Sequence, residues 1–553
     1  MIRANFRYFT SVLTFVSIGI GFYGLLLSTS GVGQYGLLSS LSKPLLASVA
    51  LVLLGFGVEL NRKSPSVVVM ITQVAYLLCC LWIFPIIILG GLMFPAGGHD
   101  LLFYTESASI VNTGHLNQAA FNYQSWPLTY VLFAMVKELV PSMTYLQVYQ
   151  TAPVLINVFI CILSYKFFSS YLKGNRALSL AGVILLQMVN FGEQFTTVSP
   201  FTFGAIELYI VMLLILAQSA VANSFSKRWF VIYLIMIVAS SATHPFYALE
   251  ILFGTAGLAL LLAIERQIPA QSLLMYLVVG FYSIVGWAVF PGAALFGSSV
   301  PAIYNSLVNL GRLVAPTVAS LSTATPAHIL VNQFKLGIAS VIVASAIPAV
   351  AIGLAKRDKS ILRVVAFGVG VLLTALVAGN LEGASYNVYL FSSILPLLLI
   401  LDFLSFTKIS PKGLKLALLF GLILMTPISF LVLDGNLVSE APTGSAIQIA
   451  DYFSSHASAT IPSPEIATDT YIGFYGPNLD VLNPHLTFVA LAPPVAGLLH
   501  AGYLVLGSES LQIAEFTYQN TTFVQMASMS AEEDSHFSQV YSSNYFTLYT
   551  KHS

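Results

Sequence analysis

An aspartate closes the stretch Phe94-Pro-Ala-Gly-Gly-His-Asp100, directly after a long apolar run. A carboxylate placed there sits where hydrocarbon gives way to headgroups. It can take a proton from a hydroxyl, or it can cap the helical-looking segment 101–113 from its N-terminal side. His99, Tyr104 and Glu106 surround it with further groups able to hold a proton. Glu193, in Asn190-Phe-Gly-Glu193-Gln-Phe, ends another apolar run and precedes Thr196-Thr-Val-Ser-Pro200. Glu207 and Glu250 lie inside apolar runs. An ionisable group there is costly, and it marks a functional path or a set of hydrogen bonds to Tyr, Ser or Thr neighbours. Thr243-His244-Pro245 is a tight turn whose imidazole can ligate a metal, donate to a phosphate oxygen or cap a helix. Lys137, Arg312 and Lys335 are the cations near the same face, and the guanidinium of Arg312 suits bidentate phosphate contact best. The combined pattern is a base beside an anion clamp.

Other motifs are excluded. Gly19-Ile-Gly21-Phe-Tyr-Gly24 fits G-x-G-x-x-G but lies within an apolar run with no preceding strand, so it reads as helix packing. The sequence contains no Walker A loop, no H-E-x-x-H and no paired C-x-x-C. Cys79, Cys80 and Cys161 all lie in apolar runs and read as reduced, inert thiols.

These groups must be positioned by a membrane bundle. Of 553 residues, 57% are hydrophobic and 8% charged, too little charge to cover a soluble surface. Mean hydropathy is +0.85, which agrees. Net charge is zero, so no global field attracts nucleic acid. Thirteen apolar runs qualify as candidate spans: 8–27, 44–60, 67–93, 145–168, 177–192, 200–221, 229–243, 246–264, 271–290, 333–354, 364–379, 388–404 and 413–433. Three of them, 177–192, 229–243 and 364–379, are short and need an extra turn. Arg3 and Arg7 precede the first run, which is too long for a signal-peptide core and reads as a retained helix.

With the N-terminus inside, the inner segments carry 17 Lys and Arg against 5 outside, and all nine histidines fall outside. Three outer regions are unusually long: 94–144, 291–332 and the tail 434–553. Within the first, 127–140 is apolar but too short to span comfortably, and reads as an interfacial helix. The tail carries eleven carboxylates against one Lys551. It reads as a small domain with a helix over 446–456 and strands near 465–475, 486–491, 502–507, 514–526 and 545–550. Asn520-Thr-Thr522 fits an N-glycosylation acceptor. The fold class is therefore an all-α polytopic membrane bundle with a small extracytoplasmic C-terminal α/β domain. Its parts are two extra helices in 1–66, a core in 67–433 and the external domain in 434–553.

This order of parts resembles the GT-C superfamily of membrane glycosyltransferases. The likeness rests on Gly98-His-Asp100, Ser107 to Gly114, and Trp126-Pro-Leu128-Thr-Tyr130. Glu193 with Ser199-Pro200, the Thr243-His244-Pro245 turn and a final strand like Tyr545-Phe-Thr-Leu-Tyr549 add to it. The chain departs from the family in its two extra first spans and in lacking an Asp-x-Asp or Asp-Glu pair, since position 99 is His and 101 is Leu. That leaves open a requirement for a divalent cation such as Mg or Mn.

The resemblance implies an inverting transfer from a polyprenyl-phosphate sugar to a lipid, glycan or protein acceptor, with the prenyl chain in an apolar groove among the spans. Asp100 would be the base and Glu193 its helper or a metal ligand. Arg312, Lys335 and His244 would hold the departing phosphate, supported by His99, Tyr104, Glu106 and Glu250. Membrane lipids are partners and nucleic acid is not. Short inner loops and the lack of a retention signal point to a prokaryotic cell membrane, with a cytoplasmic N-terminus and an extracytoplasmic tail. The competing reading is a transporter or lipid-handling protein using Glu207 and Glu250 as a proton relay, though the sequence shows no repeated halves. A scaffold whose tail binds partners is a third.

Overall fold

The computed structural model describes residues 2–28, 40–62, 64–88, 107, 110–111, 113–116, 122–143, 145–172, 174–189, 200–221, 227–265, 270–290, 326–378, 393–406 and 421, together with five strands between 465 and 551. The first helices are α1 (Ile2–Leu27), α2 (Lys43–Asn61), α3 (Val67–Trp82) and α4 (Phe84–Ile88). A 3₁₀ turn, Asn122–Ser125, leads into α5 (Leu128–Leu139). Next come α6 (Tyr145–Tyr171), α7 (Arg176–Val189), α8 (Pro200–Val221), α9 (Lys227–Thr243) and α10 (Pro245–Ile264). The last are α11 (Ala270–Val289), α12 (Pro326–Lys356), α13 (Lys359–Ala378) and α14 (Ile394–Phe406).

Apolar runs become helices because hydrocarbon offers no partner for a backbone N–H or C=O, so each must be satisfied within the segment. Their starts carry recognisable punctuation. Ser42 caps α2 and its hydroxyl accepts from the Leu45 N–H at 3.4 Å. Asn175 does the same for α7, accepting from the Leu178 N–H at 3.2 Å. Pro200, Pro245 and Pro326 open helices at the one position where a missing N–H costs nothing.

Several expected boundaries shift: the run 8–27 begins at Ile2 and the run 364–379 at Lys359. The run 67–93 is divided at Ile83 between α3 and α4, because Pro85 has no N–H to give the carbonyl one turn back and its ring crowds that turn. The run 333–354 begins seven residues earlier, at Pro326, since His328, Asn332 and Gln333 lower hydropathy without breaking a helix. The run 413–433 lies outside the described residues apart from Gly421, which is helical.

Among the described residues four helical stretches are long and apolar enough to cross a membrane: Tyr8–Leu27, Lys43–Asn61, Val154–Tyr171 and Phe246–Ile264. Their outward faces are apolar as well; Tyr8 is 74% exposed and Leu26 84%. So much open apolar surface is stable against lipid, not water. The chain is membrane-embedded.

The helices close tightly. A Cβ on Gly257 would stand 2.2 Å from the Ala366 carbonyl oxygen, and one on Gly370 2.0 Å from that of Phe253. Both positions therefore need glycine for α10 and α13 to touch backbone to backbone, as small residues allow in membranes. The G-x-G-x-x-G run of α1 is packing too, with Gly24 against the Leu45 backbone nitrogen of α2. The first three helices are locked by a buried acid. Glu59 accepts from Thr10 Oγ1 at 2.6 Å and from the Ser66 N–H at 2.7 Å, and it pairs with Arg62. Gln73 adds a bond to Thr14 Oγ1 at 2.9 Å. Cys79, Cys80 and Cys161 are free thiols.

In the tail, β1 (Glu465–Thr468), β2 (Thr487–Ala490), β3 (Tyr503–Gly507), β4 (Phe537–Ser542) and β5 (Phe546–Lys551) form one mixed sheet in the order β2-β1-β3-β5-β4. The β1 pairings with β2 and β3 are parallel, whereas β5 runs antiparallel to β3 and β4. Four expected strands meet β1, β2, β3 and β5. The segments 514–526 and 446–456 lie outside the described residues, and β4 is an addition.

Candidate functional site

One end of the bundle gathers the acidic side chains foreseen inside the spans and the imidazole foreseen in the turn between two of them. The 3₁₀ turn brings Gln124 and Ser125 into the interior, and Trp126 follows at 8% exposure. The Trp126 ring lies 6.2 Å from the ring of His244, in the turn between α9 and α10. Trp287, near the end of α11, donates its Nε1–H to the Ser125 carbonyl at 3.0 Å. In α5, Thr129, Tyr130, Phe133 and Ala134 form one buried face, with Phe133 edge-on to Phe203 of α8 at 6.0 Å. The segment 127–140, expected as a short helix, is one, and its far face is open: Leu139 is 78% exposed. The segment 122–139 is therefore pinned to the ends of α8, α9, α10 and α11.

Beneath it are two buried carboxyls with different surroundings. Glu207 of α8 accepts from Ser240 Oγ at 2.8 Å and from Thr243 Oγ1 at 2.9 Å, both on the last turns of α9. The hydrogen-bonded alternative thus describes Glu207. Glu250 of α10 is fully buried, and among the described residues neither of its oxygens has a hydrogen-bond partner. Tyr247, one turn before it, is within electrostatic reach of Glu250, Tyr209 and Glu207. The Tyr247 ring rests on the backbone of Gly204, where a Cβ would come within 2.0 Å of it.

His244 takes the capping role among those open to it. Its Nδ1 accepts from the Phe246 N–H at 3.3 Å, which leaves the proton on Nε2. Its ring also meets Phe246 at 5.0 Å and Tyr247 edge-on at 6.0 Å. Burial in this aromatic setting pushes the imidazole pKa down to about 3, so at neutral pH His244 is an uncharged donor. It can offer a phosphate an N–H but not a positive charge.

The other expected groups distribute as follows. Asp100, His99, Tyr104, Glu106, Glu193 and Arg312 lie outside the described residues. Lys335 stands in the third turn of α12. Lys137 is engaged locally, donating to the Pro141 carbonyl at 3.0 Å beyond the end of α5. In the helical-looking stretch 101–113, the described Ser107, Ile110, Val111 and Thr113 are helical. Gly114 then turns to φ +72°, with its N–H bonded to the Ile110 carbonyl at 2.8 Å, as a helix-ending glycine does. Among the described residues no three His, Cys, Asp or Glu side chains cluster as metal ligands.

Sequence reasoning passed over Ser240 and Thr243 as the partners of Glu207. Their signal is visible in hindsight: two hydroxyls three residues apart, Ser240 and Thr243, face the same side of the last turns of α9. The tie from Trp287 to a backbone carbonyl 162 residues away left none.

No protein-family model matches the chain, and no curated protein matches its sequence. Solved structures similar to it include the following two. One is the Archaeoglobus fulgidus oligosaccharyltransferase tethered with an acceptor peptide containing the NVT sequon; it is 10% identical with a TM-score of 0.48, over 83% of this chain and 72% of that one. The other is ArnT from Cupriavidus metallidurans bound to undecaprenyl phosphate, 10% identical with a TM-score of 0.47, over 87% of this chain and 97% of that one.

Proposed function

We propose that the chain is a membrane glycosyltransferase that moves a sugar from a polyprenyl-phosphate donor to an acceptor hydroxyl or amide on the outer face. The observation that supports this most is the seating of Gln124–Tyr130. The loop that opens with Asp100 returns through Trp126 onto a buried carboxyl and imidazole junction, at the end of the bundle shared by α8, α9, α10 and α11. A loop needed only as a connector has no reason to drive a tryptophan and a fully buried tyrosine into that end. In this reading 1–66 is an N-terminal helical addition, 67–433 is the catalytic core of a thirteen-span bundle, and 434–553 is an external domain.

The chemistry is a single displacement. Asp100 accepts the proton of the acceptor nucleophile as that atom attacks the anomeric carbon, while the C–O bond to the lipid phosphate breaks on the opposite face, inverting the centre. Negative charge builds on the departing phosphate. Arg312 and Lys335 are the cations assigned to it, and His244 contributes a neutral Nε2–H donor. Glu193 assists Asp100 or holds a divalent cation. Glu207, already bonded by two hydroxyls, positions α8 against α9.

The test is transfer from a synthetic prenyl-phosphate sugar by the purified full-length protein. Asp100→Asn, with expression and thermal stability retained, lowers turnover by roughly 10²–10⁴, the usual worth of a positioned base. Near-normal turnover in that variant removes Asp100 from the mechanism. No transfer by the parent from any prenyl-phosphate sugar removes the reading itself.

A further inference from the structure

At the other end of the bundle, a cavity of about 420 Å³ lies between α3, α6 and α7. Its walls are mostly apolar, with Ile71, Leu78 and Trp82 from α3 and Val158, Ile162 and Val183 from α6 and α7, and Asn157 and Tyr165 of α6 add polar groups. Ile71 and Ile162 are each 52% exposed and Val158 50%, so the cavity opens sideways as a groove towards lipid. From Ile71 to Ile83 it runs twelve residues along α3, which is ~18 Å at helical rise. One leaflet of a bilayer's hydrocarbon is about 15 Å deep. The groove has the length of one leaflet's acyl chain.

Its polar end is cationic. Lys166 follows Ile162 by four residues on α6, and Arg176 precedes Leu180 by four on α7, so each extends a groove-lining stripe by one turn. Both side chains are exposed. The one ion pair among the described residues is Arg62–Glu59, so neither Lys166 nor Arg176 is held by a carboxylate there. This is the end where α3 begins and where α6 meets α7, opposite the end that carries the 94–144 loop. A donor phosphate handled beside Asp100 is therefore on the wrong side of the bundle to use these cations.

We infer that this groove is a binding site for an anionic glycerophospholipid of the phosphatidylglycerol type. One acyl chain lies between α3, α6 and α7, with the phosphate against Lys166 and Arg176. An apolar slot alone would take any lipid tail. The paired cations at its mouth select a negative headgroup, as basic pockets between membrane helices do. The inference is independent of the sugar-transfer reading.

Purified full-length protein in nanodiscs of phosphatidylcholine with added phosphatidylglycerol provides the test. Native mass spectrometry after release shows phosphatidylglycerol retained in preference to phosphatidylcholine. The double variant Lys166→Gln, Arg176→Gln weakens that retention roughly thirty-fold, the worth of two surface cations. Lys359→Gln, an exposed cation at the same end but outside the groove, leaves it unchanged. A second measurement needs no folding-sensitive charge variant. Phosphatidylglycerol with a brominated chain quenches Trp82, and the quenching increment disappears in Trp82→Phe. Equal retention of the two lipids, full retention by the double variant, quenching indifferent to Trp82, or preferential retention of a prenyl phosphate each overturns the assignment. None of these readouts depends on whether sugar transfer occurs.

Discussion

Gly370→Ala sets two effects of opposite sign against each other. In an exposed helix, replacing glycine by alanine stabilises by about 0.5–1 kcal/mol, because the unfolded chain has less freedom to lose. At Gly370 the added Cβ would lie 2.0 Å from the Phe253 carbonyl oxygen, 2.6 Å from its carbon and 2.9 Å from the Gly254 Cα. Ordinary contact is 3.4–4 Å, so α13 must retreat from α10 by well over an ångström, and every atom met is backbone. No rotamer change relieves it. Retreat also loosens Phe367, which is fully buried over Gly254.

Overpacking a filled interior costs about 1–3 kcal/mol, and a rigid backbone neighbour places this case at the upper end. The net expectation is a loss of about 2 kcal/mol despite the helix-propensity gain. The assay is thermal denaturation in detergent, with Gly337→Ala as the control. Gly337 lies in α12, is exposed and has nothing within 4 Å of its built Cβ, so that substitution is neutral or stabilising. Because α10 carries His244 at its start and Glu250 in its second turn, Gly370→Ala also lowers sugar transfer. If Gly370→Ala is as stable as Gly337→Ala, the backbone contact between α10 and α13 is refuted.

Three further outcomes follow from the site. Glu207→Ala orphans the Ser240 hydroxyl, while Thr243 keeps the Ala239 carbonyl as its acceptor, and costs about 1–3 kcal/mol; Glu207→Gln keeps an acceptor and costs less. Adding Ser240→Ala to Glu207→Ala then costs little more, and a fully additive cycle would show that the hydrogen bond is not made. For His244 the folded pKa of about 3 lies below the ordinary 6.5, so the unfolded chain binds a proton that the folded one refuses. Stability therefore falls as pH drops from 6.5 towards 3, and His244→Asn, which retains a capping acceptor, flattens that slope; equal slopes in denaturation at stepped pH contradict the burial. Gly114→Ala forces a side chain into a left-handed turn at φ +72°, costing ~1 kcal/mol. Limited proteolysis of the 94–144 loop then speeds up, whereas an unchanged rate would mean the turn is not formed.

How far the sequence reveals this molecule depends on how local each signal is. Helix starts at Lys43, Arg176, Pro200, Lys227 and Pro245 are legible because charge and proline act on the nearest turn. The division at Ile83 was legible too, in Pro85, but a long, mostly apolar run masks one proline under an averaged hydropathy. Strand β4 reads Phe537-Ser-Gln-Val-Tyr-Ser542, and its three polar residues hid it. At the site, Glu207 and Glu250 carry the same sequence signal, an acid in an apolar run, yet among the described residues one has two hydroxyl donors and the other none. That difference is fixed by which face of α9 turns towards α8, a matter of three-dimensional packing. His244 was legible as a turn residue; its neutrality was not, since burial comes from Trp126, over a hundred residues earlier.

The bond from Trp287 to the Ser125 carbonyl has a mechanical meaning. It fastens the return limb of the Asp100 loop to the root of the next long outer segment, which leaves α11 at Phe290 and carries Arg312. The two segments proposed to carry base and clamp thus share one anchor at their described ends, Ser125 and Trp287.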